Sequence, residues 1–130
     1  MTPEVQDLIH LRLSQANESL AEARLLVERS MRLGAMDWIY FTMFYCACVL
    51  LATREFGPSR DGNIAGKFQR EFVKTGLIPP EIGDRFERAT KLHHDADLGA
   101  QTPPAANRLR ELLADADSFL TTTKLFLAKQ

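Results

Sequence analysis

The chain has 130 residues, with 16 Lys and Arg against 17 Asp and Glu and a formal net charge of −1. That length suits one domain, read as 1–130, with a hydrophobic core that needs no metal or disulfide staple. The near-neutral balance excludes a strong overall field towards nucleic acid or anionic membrane.

Helix signals follow one another along the chain. Thr2-Pro3 places a capping hydroxyl before proline at the first helical position. Val5, Leu8, Ile9, Leu13, Ala16, Leu20, Val27 and Met31 then recur at three- and four-residue steps. Gly34 reads as a left-handed terminator, giving a first helix over 3–33 that reaches roughly 45 Å. Asp37 reads as the cap of a second helix over 37–54. This helix, Trp38 to Leu51, is apolar on every face. A helix apolar all round must be covered all round, so a second copy of the chain is expected against it, a homodimer through 37–54. The apolar run from Trp38 to Ala52 lies between Asp37 and Arg54 and is short for a bilayer span. Met1-Thr2-Pro3-Glu4 does not begin a signal peptide. A cytoplasmic protein with no membrane association is expected.

Gly57-Pro58 breaks the chain, and Asp61 or Asn63 opens a third, short helix carrying Ile64, Phe68 and Phe72. Arg54, Arg60, Lys67, Arg70 and Lys74 outnumber Glu55, Asp61 and Glu71 here, which reads as a solvated face. Gly76 closes the helix and Pro79-Pro80 opens the fourth. Its inner stripe is Ile82, Phe86, Ala89 and Leu92, and Asp97-Leu98-Gly99 ends it. Thr102 reads as the cap of the fifth, with Pro103 and Pro104 in its first turn. No strand pattern intervenes, so the fold class is all-α: an up-down bundle of four main helices plus a short extra one.

Polar chemistry is concentrated between Arg85 and Asp97, where two of the three histidines lie. Arg88 with His93 or His94 could serve a metal-independent ribonuclease, the histidine moving a proton and the arginine stabilising charge on phosphorus. Five positions on a helix turn through about 140°, however, so Arg88 and His93 diverge on a straight helix. The same segment also reads as surface stabilisation: Asp84–Arg88 and Glu87–Lys91 are acid-before-base pairs one turn apart, and the histidines suit a helix C-terminus. No metal is expected, since the segment offers few ligands and no second histidine cluster exists. Trp38, Tyr40 and Tyr45 could form a binding platform but read first as core, and Cys46 and Cys48 read as buried free thiols, since positions i and i+2 on a helix do not bridge.

Three stretches carry a family resemblance. Tyr40-Phe41-Thr42-Met43-Phe44-Tyr45-Cys46-Ala47, Phe68-Gln69-Arg70-Glu71-Phe72-Val73-Lys74-Thr75-Gly76-Leu77-Ile78-Pro79 and Asp95-Ala96-Asp97-Leu98-Gly99 resemble the signature segments of small prokaryotic HEPN-domain proteins of the UPF0332-like branch. The resemblance implies a dimeric bundle that partners a minimal nucleotidyltransferase in a toxin–antitoxin-type system. It also implies one of two activities: binding of a nucleotide or partner protein, or RNA cleavage by an Arg-x(4–6)-His pair shared across the dimer. Arg88, His93 and His94 are therefore the candidate catalytic residues of a metal-independent RNA endonuclease. Lys91 and Asp97 are the candidate nucleotide-binding residues, and no cofactor is implied. The sequence departs from the ribonuclease branch where Ala96 and Leu98 replace its histidine and tyrosine and Lys91 its arginine. The leading expectation is thus an accessory or binding protein; a structural bundle without ligand is the third alternative.

Overall fold

The computed structural model describes residues 1–54, 63–97 and 102–130, except the side chains of 96 and 97. Helix α1 spans Pro3–Glu28, α2 Arg32–Thr53, α3 Ile64–Phe68 and α4 Pro80–Asp97, with α5 over Ala106–Ala128; a π-helical turn, Gln69–Val73, extends α3. No strand occurs among the described residues. Helix α2 runs through the middle and packs on α1, α4 and α5. Its Met36, Ile39, Met43 and Leu50 are sealed from solvent together with Phe68, Phe72, Phe86 and Phe119. Ring pairs knit the short helix to the main ones: Phe68 lies 5.2 Å from Phe119 and 5.6 Å from Phe86. Each such buried phenyl ring contributes about 1.5–3 kcal/mol of transfer free energy. By length and composition α2 could cross a bilayer, but its apolar residues form the core of the bundle.

The first helix starts as its sequence suggests: the Thr2 hydroxyl accepts from the Val5 amide at 3.2 Å, and Pro3 occupies the first turn. Its end differs from expectation. The chain turns at Arg29–Met31, where Ser30 takes φ 58° and the Met31 amide donates to the Leu26 carbonyl at 2.9 Å. A left-handed serine costs only about 1–2 kcal/mol, which this turn and the packing of α1 on α2 offset. Gly34 lies inside α2 and is no terminator. A Cβ there would come within 3.2 Å of Leu26 Cδ1, so the glycine serves close approach of the two helices. Asp37, expected to cap α2, consequently sits in its second turn.

Asn63 caps α3, its Oδ1 accepting from the Gly66 amide at 3.1 Å. Gly76, at φ +80°, ends the π turn, and the Ile78 amide returns to the Phe72 carbonyl at 2.9 Å. Gln69 Nε2 donates to the Gly83 carbonyl at 2.9 Å, drawing the π turn onto α4 where only glycine fits: a Cβ on Gly83 would meet Val73 Cγ2 at 2.9 Å. The expected breaks at Gly57-Pro58, Asp61 and Leu98-Gly99 lie outside the described residues. Thr102 is not the cap of α5. Proline disfavours helical backbone in the residue before it, so Pro103 and Pro104 hold Thr102 and Pro103 out of the helix, and Ala105 takes the cap position without a side-chain bond.

Candidate functional site

Helix α4 is two-sided. Ile82, Phe86 and Ala89 are buried, and Glu81, Asp84, Glu87, Arg88 and Lys91 are exposed. His93 lies one turn beyond Ala89 and so continues the buried stripe. Its ring stacks on Tyr40 of α2, with centroids 4.1 Å apart and planes 7° apart, and meets the edge of Phe41 at 5.6 Å. Its Nε2 lies 3.3 Å from Asp37 Oδ1. Tyr40 in turn lies 6.4 Å from the Phe86 ring, so the imidazole ends an aromatic stack that begins in the core. The His93 side chain keeps 14% of its exposure and that of Asp37 45%. An imidazole held by a carboxylate and an aromatic face can hold or move a proton at the bundle surface.

His94 faces the other way. With Glu87, Thr90 and Lys91 it lines a cleft of about 410 Å³ against Ala65, Gly66 and Gln69. Thr90 donates its hydroxyl to the Phe86 carbonyl at 2.8 Å, which leaves the ammonium of Lys91 and the imidazole of His94 as the donors towards a ligand. Small residues on the α3 side leave room for a compact group there.

Arg88 belongs to a third environment. Asp115 of α5 feels the charge of Arg85, Arg108 and Arg88, and Arg85 Nε lies 3.5 Å from its Oδ1. Burial holds the Asp115 carboxyl above its ordinary range, and the three guanidinium groups offset only part of that rise. The three candidate catalytic residues therefore diverge within one chain: Arg88 towards the Asp115 side of α5, His93 under α2, His94 against α3. Of the two candidate nucleotide-binding residues, Lys91 shares the cleft with His94; Asp97 ends α4, and its side chain lies outside the described residues. Among the described residues no three His, Cys, Asp or Glu side chains gather as metal ligands.

Asp37 and Tyr40 are the site residues that sequence reasoning missed. The sequence reads Asp37 as a helix cap and Tyr40 first as core. The signal that could have found them is their spacing: Asp37, Tyr40 and Phe41 lie three and four residues apart on one helix face, and His93 falls in the register of Ile82, Phe86 and Ala89. Burial pushes the thiol of Cys46 up to about 12 and that of Cys48 up to about 11. Both are free cysteines, and as neutral thiols at physiological pH they are poor nucleophiles.

The outward side of α2 is aromatic. Phe41, Phe44 and Cys48, at helical spacing, are half-buried, as are Trp38 and Tyr45 on the α1 side. The intramolecular neighbours of α2 therefore leave one stripe of it partly open.

The HEPN domain family model matches residues 9–126 of the chain. The chain is 27% identical over 117 residues to a UPF0332 protein of Thermotoga maritima, covering 90% of this chain and 89% of that protein. It is 30% identical over 131 residues to the UPF0332 protein glr0978 of Gloeobacter violaceus, covering 99% and 100%. A Methanocaldococcus jannaschii protein named "Putative toxin MJ0142" is 29% identical over 115 residues, covering 88% of this chain and 78% of its own.

Proposed function

The chain belongs to the HEPN domain family, and from that premise we propose that it is the binding component of a toxin–antitoxin-type pair. In this reading it works in the cytoplasm as a homodimer that engages a nucleotide or a partner protein of the minimal nucleotidyltransferase kind. The observation that carries the reading is the divergence of Arg88, His93 and His94 on α4, which leaves one chain without an assembled arginine–histidine pair. The name of the Methanocaldococcus jannaschii relative supports the toxin–antitoxin setting. The half-open stripe of Phe41, Phe44 and Cys48 supports a second copy on α2, because contiguous aromatic surface of this kind is costly to leave in water.

The experiment has two arms. Light scattering should give a dimer at micromolar concentration, and Phe41→Glu should shift it to monomer; a wild-type monomer contradicts the homodimer. Thermal-shift titration with mononucleotides should raise the melting temperature, and Lys91→Ala should abolish the rise if the α3–α4 cleft is the nucleotide site.

A second reading, a metal-independent ribonuclease, draws on one observation: Asp37 and Tyr40 hold the His93 ring in a fixed orientation at the surface. A general base needs such positioning. In that reading Arg88 would have to come from the second protomer of the dimer. RNA cleavage in the presence of EDTA, lost in both Arg88→Ala and His93→Ala, would establish it.

A further inference from the structure

Among the described residues three hydroxyl-bearing side chains are buried: Ser19, Thr42 and Thr123. Two of them are satisfied in the usual way for a helix. Thr42 donates to the Trp38 carbonyl and Thr123 to the Phe119 carbonyl, each at 2.8 Å. Ser19 differs. It is 2% exposed, and its hydroxyl makes no hydrogen bond among the described residues. Its oxygen is not sealed in the core but belongs to a groove of about 630 Å³ between α1 and α2.

The groove has a definite chemistry. Trp38 and Tyr45 of α2 form an aromatic wall, and Gln15, Ser19, Glu18 and Glu22 of α1 the polar one. Glu18 and Glu22 are exposed and lie one turn apart, where like charges disfavour the helix. Neither is in an ion pair among the described residues. Of the cations along α1, Arg24 pairs with Asp117 at 3.2 Å, and Arg12 is held at the groove's N-terminal end by Gln15 Oε1 at 2.8 Å, without an ion pair to either glutamate. Two carboxylates, an unmatched hydroxyl and an aromatic face therefore meet in one hollow, and among the described residues no ion pair neutralises the carboxylates.

A guanidinium group matches each of these features. Its planar face stacks on indole and phenol rings, its fork donates to carboxylates in pairs, and a remaining N–H reaches the serine oxygen. An ammonium supplies the charge without the plane. We infer that the α1–α2 groove receives an arginine side chain from a basic segment of a second protein. The groove lies on the α1 flank of α2, beside the stripe of Phe41, Phe44 and Cys48, so this inference does not depend on the homodimer.

Trp38 is the only tryptophan, so its fluorescence reports this groove directly. An arginine hexapeptide titrated into the full chain at low salt should change that emission saturably. Glu18→Gln together with Glu22→Gln should weaken binding by about tenfold or more, as expected for lost charge-assisted bonds. Ser19→Ala should weaken it by a smaller factor, roughly threefold, as for a hydrogen bond to a charged donor. Glu4→Gln together with Asp7→Asn removes the same charge from the same helix outside the groove and should leave affinity within about twofold. The inference is overturned if wild-type emission does not change saturably, if the Glu4 and Asp7 control weakens binding as much, or if a lysine hexapeptide binds as tightly. It is also overturned if the Glu18 and Glu22 variant alters only self-association by light scattering, since the groove would then hold a second copy.

Discussion

His93 and His94 are neighbours in the chain and occupy opposite environments. His93 closes an aromatic stack that runs from Phe86 through Tyr40, with a carboxylate at its Nε2. His94 opens on the α3–α4 cleft beside Lys91. One residue step on a helix turns through about 100°, and that step separates an imidazole whose position is set by packing from one free to meet a ligand. A polar cluster in sequence is thus not a cluster in space.

The contrast can be broken first on the cleft side. Gly83→Leu forces a side chain against Val73 and Gln69, and overpacking of this kind costs about 2–3 kcal/mol. It should disturb the α3 side of the cleft while the ring-current shift of the His93 protons over Tyr40, read by NMR, stays in place. Loss of that shift would mean the two environments are coupled. A smaller effect is expected on the junction side. His93→Ala removes the Tyr40 stack and the Asp37 contact and should lower stability by about 1–2 kcal/mol in urea denaturation. Within that loss, a double-mutant cycle of Asp37→Ala with His93→Ala should give a coupling below about 1 kcal/mol, because the Asp37 carboxylate is nearly half exposed and screened. His94→Ala is the smallest: a stability change within about 0.5 kcal/mol. Equal losses for the two histidines would erase the distinction.

Much of this architecture is readable from the sequence, for physical reasons. Thr2-Pro3, Asn63, Gly76 and Pro79-Pro80 mark boundaries because their effects are local: a capping oxygen, a left-handed turn, a fixed φ. The turn between α1 and α2 is not readable this way. Ser30 takes a conformation that its own chemistry does not ask for, and the nearby glycine is used for helix contact instead. The error carried into the site, since misplacing the start of α2 turned Asp37 into a cap and hid its role beside His93. The divergence of Arg88 and His93 follows from helical rotation alone. What each residue faces does not, because Tyr40, Asp115 and the α3 wall are set by tertiary packing. The groove beside Ser19 was illegible for the same reason: its aromatic and acidic walls come from different helices.

The central proposal is that this HEPN chain acts by binding and does not cut RNA. Its most direct test is incubation of the purified full chain with RNA in EDTA, resolved by gel electrophoresis beside the Arg88→Ala and His93→Ala variants. The account predicts intact RNA in every lane. Cleavage by the wild type that disappears in both variants would contradict it.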